Sequence, residues 1–228
     1  MTLETPSRLV VFDCDGTLVD SQHAIVEAMS IAFRHHDMAA PAALATRRTV
    51  GLPLGEAVGH LLPEGAEDKL EDVVAHYKEA AYILRQHPDH EEPLYPGVVE
   101  VLHALRAAGY QLGVATGKSR RGLLATLERH ALNDHFVTLK TADDGPGKPN
   151  PDILQDAMAE TGAVPGTTIM IGDTTFDIAM AVHARAHAIG VSWGYHAPAE
   201  LTATGAAHIA DSFTDLPAII AGLREGVG

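Results

Sequence analysis

The sequence holds one cysteine, Cys14, so it forms no intramolecular disulfide and suits a reducing compartment such as the cytoplasm. Tryptophan occurs once, and aromatic residues make up only 5% of the chain. Basic residues are scarce, 16 against 30 acidic ones, for a formal net charge of −14. That balance argues against nucleic acid and against an anionic membrane surface as partners, since both call for clustered Lys and Arg. No apolar run is long enough to span a bilayer. Residues 1–7 lack the basic-then-apolar pattern of a targeting signal. Internal repeats and low-complexity segments are absent too.

What is present is 228 residues with 46% hydrophobic content, enough for one large domain, or a domain with a smaller insert. An acidic protein still binds an anionic substrate when a metal and a few local cations invert the field. The stretch that organises the chain is Leu9-Val10-Val11-Phe12-Asp13-Cys14-Asp15-Gly16-Thr17-Leu18-Val19-Asp20-Ser21. A short run that is apolar throughout predicts a strand buried on both faces. Its C-terminal end is where an open α/β sheet holds ligands. Asp13 and Asp15, two apart, would point the same way on a continuing strand. Two close carboxylates repel each other and need a cation or a shared proton. Mg2+ is the expected cation, with one Asp free to act as nucleophile or acid. Cys14 is expected to be a buried, inert thiol.

After Ser21, Ile25, Ala28, Met29 and Ala32 recur at helical spacing, and helical patterns persist to about residue 84. Val73, Tyr77, Ala80, Ala81 and Leu84 form a second face, and Glu91-Glu92-Pro93-Leu94-Tyr95-Pro96-Gly97 is a hinge candidate. From there helices alternate with strands at 111–115, 136–139, 168–171, 188–191 and 208–210. Leu123, Leu124 and Leu127 are expected to face inward, as are Phe176, Ala179, Met180 and His183. The fold class is therefore α/β: a doubly wound, mostly parallel sheet with an inserted α-helical domain. The expected division is a core of 1–20 and 94–228 and a helical insert of 21–93. The 14 histidines show no convincing zinc spacing and are assigned to the surface or to helix packing.

Each central strand runs into polar residues. The first ends at Asp13 and Asp15, the second at Thr116-Gly117-Lys118-Ser119, and the fourth at Gly172-Asp173-Thr174-Thr175-Phe176-Asp177. Lys148 lies in the loop after the third. Parallel strands bring such ends to one edge of the sheet, so these groups should share a pocket.

In order and spacing these residues resemble the motifs of the haloacid dehalogenase superfamily, in its phosphatase branch. Asp-Cys-Asp-Gly-Thr-Leu-Val-Asp-Ser matches the first motif, Thr116 the second, Lys148 in Gly-Lys-Pro-Asn-Pro-Asp the third, and Gly-Asp-Thr-Thr-Phe-Asp the fourth. The helical insert resembles the superfamily's C1 cap, and Arg47-Arg48-Thr49-Val50-Gly51 resembles the cap segment of phosphoglycolate phosphatases and related pyrophosphatases.

The resemblance implies Asp13 as the nucleophile that becomes an aspartyl-phosphate and Asp15 as the general acid and base. Asp13, Asp173 and the Asp15 carbonyl would hold Mg2+, with Asp177 behind them orienting metal-bound water. Lys148 would neutralise Asp13 and the phosphoryl group. Thr116, Gly117 and Lys118 would bind the substrate phosphate, and Arg47 or Arg48 its anionic tail. The implied activity is a Mg2+-dependent phosphatase of a small phosphorylated metabolite. Asp15 argues against the superfamily's dehalogenases and phosphonate hydrolases. A β-phosphoglucomutase-like mutase and a pyrophosphatase or nucleotidase share the same motifs. A receiver-like phosphoacceptor module is the non-enzyme alternative, disfavoured by the long insert.

Overall fold

The computed structural model describes residues 6–87 and 90–225. Residues 1–5, 88–89 and 226–228 lie outside the described residues, and most of the segment read for a targeting signal goes with them. Strand β1 (Ser7–Phe12) is followed by four helices, α1 (Gln22–His35), α2 (Ala43–Arg48), α3 (Leu54–Leu61) and α4 (Leu70–Gln86). Then α5 (Val98–Ala107), β2 (Gln111–Ala115), α6 (Arg120–Arg129), β3 (Thr138–Lys140), α7 (Asp152–Thr161), β4 (Ala163–Gly172), α8 (Thr175–His183), β5 (His187–Val191), α9 (Pro198–Thr204), β6 (His208–Ala210) and α10 (Leu216–Glu225) alternate. The sheet has six parallel strands in the order β3-β2-β1-β4-β5-β6.

The unbroken apolar run of β1 follows from this placement. Val10 and Phe12 enter the core cluster on one face of the sheet, Leu9 and Val11 the cluster on the other. Adjacent β4 divides in the same way, with Ile169 and Ile171 on one side and Met170 on the other. A strand covered on both faces cannot alternate apolar with polar residues. Cys14 joins the first cluster, fully buried. The insert has a separate apolar cluster built from Met29, Ala32, Phe33, Val58 and Val73. It leaves and rejoins the sheet through paired backbone: Val19 bridges Leu94, Asp20 N–H donates to Pro93 O at 2.8 Å, and Tyr95 N–H to Leu18 O at 3.0 Å. His35 stacks on His76 with ring centroids 3.8 Å apart, and His36 Nε2 lies 3.0 Å from His76 Nδ1, which ties α1 to α4.

Several local expectations shift. β3 starts at Thr138, not Phe136, and Val137 is 62% exposed. β4 starts at Ala163, because Ser7 pairs with Ala163 before the register breaks, and Thr167 Oγ1 bonds Ser7 O at 2.7 Å across the irregularity. Leu124 points outward, since the buried face of α6 repeats through Leu123 and Leu127, four apart. His183 is exposed as well; the inner face of α8 is Asp177, Ile178, Met180 and Ala181, one step round from the expected set. That rotation aims an acid at the sheet edge. Among the described residues no helix is long and apolar enough to cross a membrane.

Candidate active site

In the order β3-β2-β1-β4-β5-β6 the chain winds outward one way from β1 and the other way from β4. The crevice at the C-terminal ends of these two strands is where open α/β sheets bind ligands. Asp13 follows β1 directly and its N–H extends the ladder to Ile171 O at 2.9 Å. Asp173 follows β4, Thr116 follows β2, and Lys148 comes from the loop between β3 and α7. Asp177 enters from the first turn of α8, where it forms a reciprocal cap with Thr174: its carboxylate accepts from Thr174 N–H at 3.0 Å and Thr174 Oγ1 at 2.7 Å. All of these residues are buried.

The Lys148 ammonium is the centre of the arrangement. Its Nζ lies 2.9 Å from Asp13 Oδ1 and 2.5 Å from Asp177 Oδ1. Asp13 Oδ1 also accepts from Cys14 N–H at 2.6 Å. Asp173 accepts from Thr17 Oγ1 at 2.8 Å and from Tyr195 N–H at 2.9 Å. Backbone crowds this carboxylate: a Cβ on Gly194 would lie 2.1 Å from the Asp173 Cβ, and one on Gly16, where φ is +79°, 2.3 Å from its Oδ2. Only glycine admits both approaches.

Carboxylate oxygens of Asp13, Asp173 and Asp177 lie within 4.8 Å of one another. Three buried acids face one ammonium, and the imbalance shows at Asp13 and Asp173. Burial pushes Asp13 up to about 7, although Lys148 pulls the other way. Burial, then the charges of Asp177 and Asp13, hold Asp173 well above the usual carboxylate range. Burial alone would lower Lys148, but Asp13 and Asp177 outweigh it and raise it. An all-oxygen donor set short of positive charge fits a hard divalent cation such as Mg2+.

Asp15 departs from the expected geometry. The strand stops at Phe12 and the chain turns, with Leu18 N–H closing on Cys14 O at 2.9 Å, so Asp13 and Asp15 take different partners. Asp15 Oδ1 accepts from Ser21 Oγ and ion-pairs with Lys118 Nζ at 2.6 Å. Lys118 is also 3.0 Å from Glu92, which accepts from Thr126 Oγ1 at 2.9 Å. The expected phosphate-binding lysine is therefore tied into a buried network. Thr116 Oγ1 accepts from Lys118 N–H at 3.2 Å, and Thr116, Gly117 and Lys118 all line the cavity above Asp13.

Arg47 and Arg48 are not brought to that cavity. Arg47 Nη1 donates to Gln22 Oε1 at 2.9 Å, and Arg48 Nη2 pairs with Glu200 of α9 at 2.6 Å on the surface. Arg48→Ala should therefore change KM by less than about twofold in steady-state assays, as expected for a side chain that touches no substrate. Ser21 and Glu92 are site neighbours that the motifs do not single out. Ser21 sits within the first motif, but nothing in the spacing pairs it with Asp15.

The insert covers the site. A Cβ on Gly147 would lie 2.6 Å from Pro53 Cγ, and one on Gly117 3.4 Å from Gly51 O. Residues 51–53 are thus seated against the loops that carry Thr116 and Lys148. Beneath them is a cavity of 590 Å3 reaching down to Asp13 and Asp15.

The family model for "Haloacid dehalogenase-like hydrolase" matches residues 10–191. A Dickeya dadantii protein named "Probable phosphatase IndB" is 40% identical over 211 residues, 91% of each chain. A Vibrio vulnificus protein named phosphoglycolate phosphatase is 30% identical over 214 residues, 92% of this chain and 94% of that one. The crystal structure of a predicted phosphoglycolate phosphatase from Haemophilus somnus shares the fold, with a TM-score of 0.84 at 23% identity over 95% of this chain and 99% of that one. Matched from the first strand to the fifth, the chain belongs to the haloacid dehalogenase-like hydrolase family.

Proposed function

We propose that this protein is a Mg2+-dependent phosphatase that hydrolyses a phosphomonoester of a small molecule through an aspartyl-phosphate on Asp13. One observation carries the reading: Asp13 lies 2.9 Å from a fully buried ammonium, in a cluster with two further buried carboxylates. The phosphatase names of the relatives support it.

Asp13, Asp173 and the Asp15 carbonyl would hold the Mg2+ ion, with Asp177 behind them orienting metal-bound water. Bound there, the ion would offset the repulsion between a carboxylate and a phosphate dianion. Thr116 Oγ1 and the backbone N–H groups beside it would donate to phosphoryl oxygens. Lys148 would hold the Asp13 carboxylate in place and share the charge of the transferring group. The free Asp13 oxygen attacks phosphorus and the ester oxygen leaves. Asp15 would donate a proton to that oxygen, then take one from the water that attacks the acyl phosphate. To do so its carboxylate must leave Lys118 and Ser21. Glu92 stays with Lys118, so the ammonium is not left unpaired in the buried site.

EDTA should abolish phosphate release and added Mg2+ should restore it. Activity that survives thorough chelation would reject the metal role. Measuring isomer formation beside phosphate release separates a phosphatase from a mutase on the same residues.

A further inference from the structure

We infer that Arg85 of α4 sets the specificity of this site by pairing with a second anionic group on the body of the ester. The inference rests on the phosphatase reading and concerns what lies beyond the phosphate.

The cavity of 590 Å3 is partly open, and the acids that line it are engaged. Asp13 pairs with Lys148, Asp15 and Glu92 pair with Lys118, and Asp143 accepts from Arg120 N–H at 2.8 Å. Both Glu92 oxygens are used, because Thr126 Oγ1 donates to the second. Arg85 lines the same cavity and is half-buried. Among the described residues its guanidinium has no ion pair and no hydrogen bond. The other arginine and lysine side chains on the outer wall differ. Lys78 and Arg121 are exposed, and Arg121 stacks its guanidinium 3.9 Å over the Tyr82 ring. A half-buried cation with no acid beside it has given up water without gaining a partner. A carboxylate or phosphate group fits its planar donor fork.

The surroundings of Arg85 offer further donors. Arg129 Nη2 donates to Arg85 O at 3.1 Å and Arg129 Nη1 to His90 O at 3.3 Å, so α6 of the core pins both residues where the insert rejoins it. His90 Nε2 and Thr46 Oγ1 are buried without a hydrogen-bond partner. Tyr77 Oη makes no hydrogen bond among the described residues. All three side chains line the cavity. Burial, then the Asp15 charge, pushes the Tyr77 hydroxyl up to about 12, so it keeps its proton and can donate. Burial, then Arg129, holds His90 below its ordinary value, so near pH 7 the ring is neutral. Asp15 and Arg85 are both close enough to act on the Tyr77 hydroxyl. These groups therefore lie on the side of the phosphate where the leaving group must sit, next to its proton donor.

Hydroxyls on the substrate could satisfy Tyr77, Thr46 and His90, but only an anion answers the guanidinium. Ile25, Met29 and Val74 line the cavity as well, and such apolar neighbours strengthen an ion pair by keeping water away.

The test is phosphate release by the intact protein with Mg2+ from straight-chain alkyl phosphates of two to five carbons. Each is compared with the same chain ending in a carboxylate, and with the same chain ending in a second phosphate. At the best length, kcat/KM for an anion-ended chain should exceed that of its alkyl counterpart by about 30-fold. The series with the larger gain identifies the anion. Arg85→Met should shrink the ratio to within about threefold of unity, and Arg85→Lys should restore it to about tenfold. The ratio is taken within each variant, so a loss of folded protein cancels. Alkyl phosphates turning over as well as both anionic series would overturn the inference and leave the phosphatase reading standing. So would a preference that Arg85→Met leaves intact. Release from none of the compounds would remove the phosphatase reading, and this inference with it.

Discussion

Asp13→Asn should lower phosphate release by about 10⁴- to 10⁶-fold, the scale seen when a covalent enzyme loses its nucleophile. The substitution is nearly isosteric. The amide oxygen can occupy the place of Oδ1, where Lys148 Nζ lies at 2.9 Å and Cys14 N–H at 2.6 Å. The fold should therefore persist, and the melting temperature should not fall. It has reason to rise, because burial already disfavours the Asp13 charge, pushing its pKa up to about 7. What disappears is the second oxygen, replaced by an NH2 group with no lone pair to attack phosphorus. Substrate can still enter, so binding should survive while turnover does not. Two measurements decide the matter. Single-turnover phosphate release reports the rate. Acid quenching followed by borohydride reduction reports the acyl phosphate, which should form in the unmodified protein and not in the variant. Near-normal turnover by the variant would exclude covalent catalysis.

This expectation was readable before any coordinates, and the reason is topological. A residue that ends a central parallel strand has its position set by the ladder, so Asp13, Thr116 and Asp173 could be placed together from the strand pattern alone. Contacts that depend on how the insert docks were not readable. Arg47 and Arg48 stand in a family-like segment, yet the last turn of α2 directs them to Gln22 and Glu200. Lys118 looked like a phosphate ligand because it follows Thr116 in the strand-end loop. Its partner Glu92 sits 26 residues earlier, in the segment that leads back from the insert, and no periodicity links the two. Helix faces failed in a different way. Leu124 and His183 fit an apolar stripe only until the ends of α6 and α8 are fixed. Asp177 then turns out to share the buried face of α8 with Ile178 and Ala181, an acid that no hydrophobic pattern would place there.

Lys148→Met should be the most disruptive substitution in the site, for stability and activity together. The side chain is fully buried, and among the described residues its ammonium is the one salt-bridge partner of Asp13 and of Asp177. Methionine fills most of the volume but leaves two acids without a counter-charge. Breaking a buried pair in this way costs about 3–5 kcal/mol. In a chain of 228 residues that corresponds to a fall in melting temperature of about 10 °C. The cost should depend on pH, with a sign that can be worked out. Lys148 lowers the Asp13 pKa, so its removal raises that pKa further above the unfolded value. Between the unfolded and folded values the native state then binds more protons than the unfolded chain, and stability falls as pH rises. The deficit against the unmodified protein should be small near pH 5 and grow through pH 7 and above. Mg2+ should narrow the gap, since a divalent cation in the same carboxylate cluster stabilises the native state by mass action. Thermal melts at several pH values, with and without Mg2+, test each part. A variant equally destabilised at all pH values, and indifferent to Mg2+, would mean that Lys148 acts by packing and that the cluster is not a cation site.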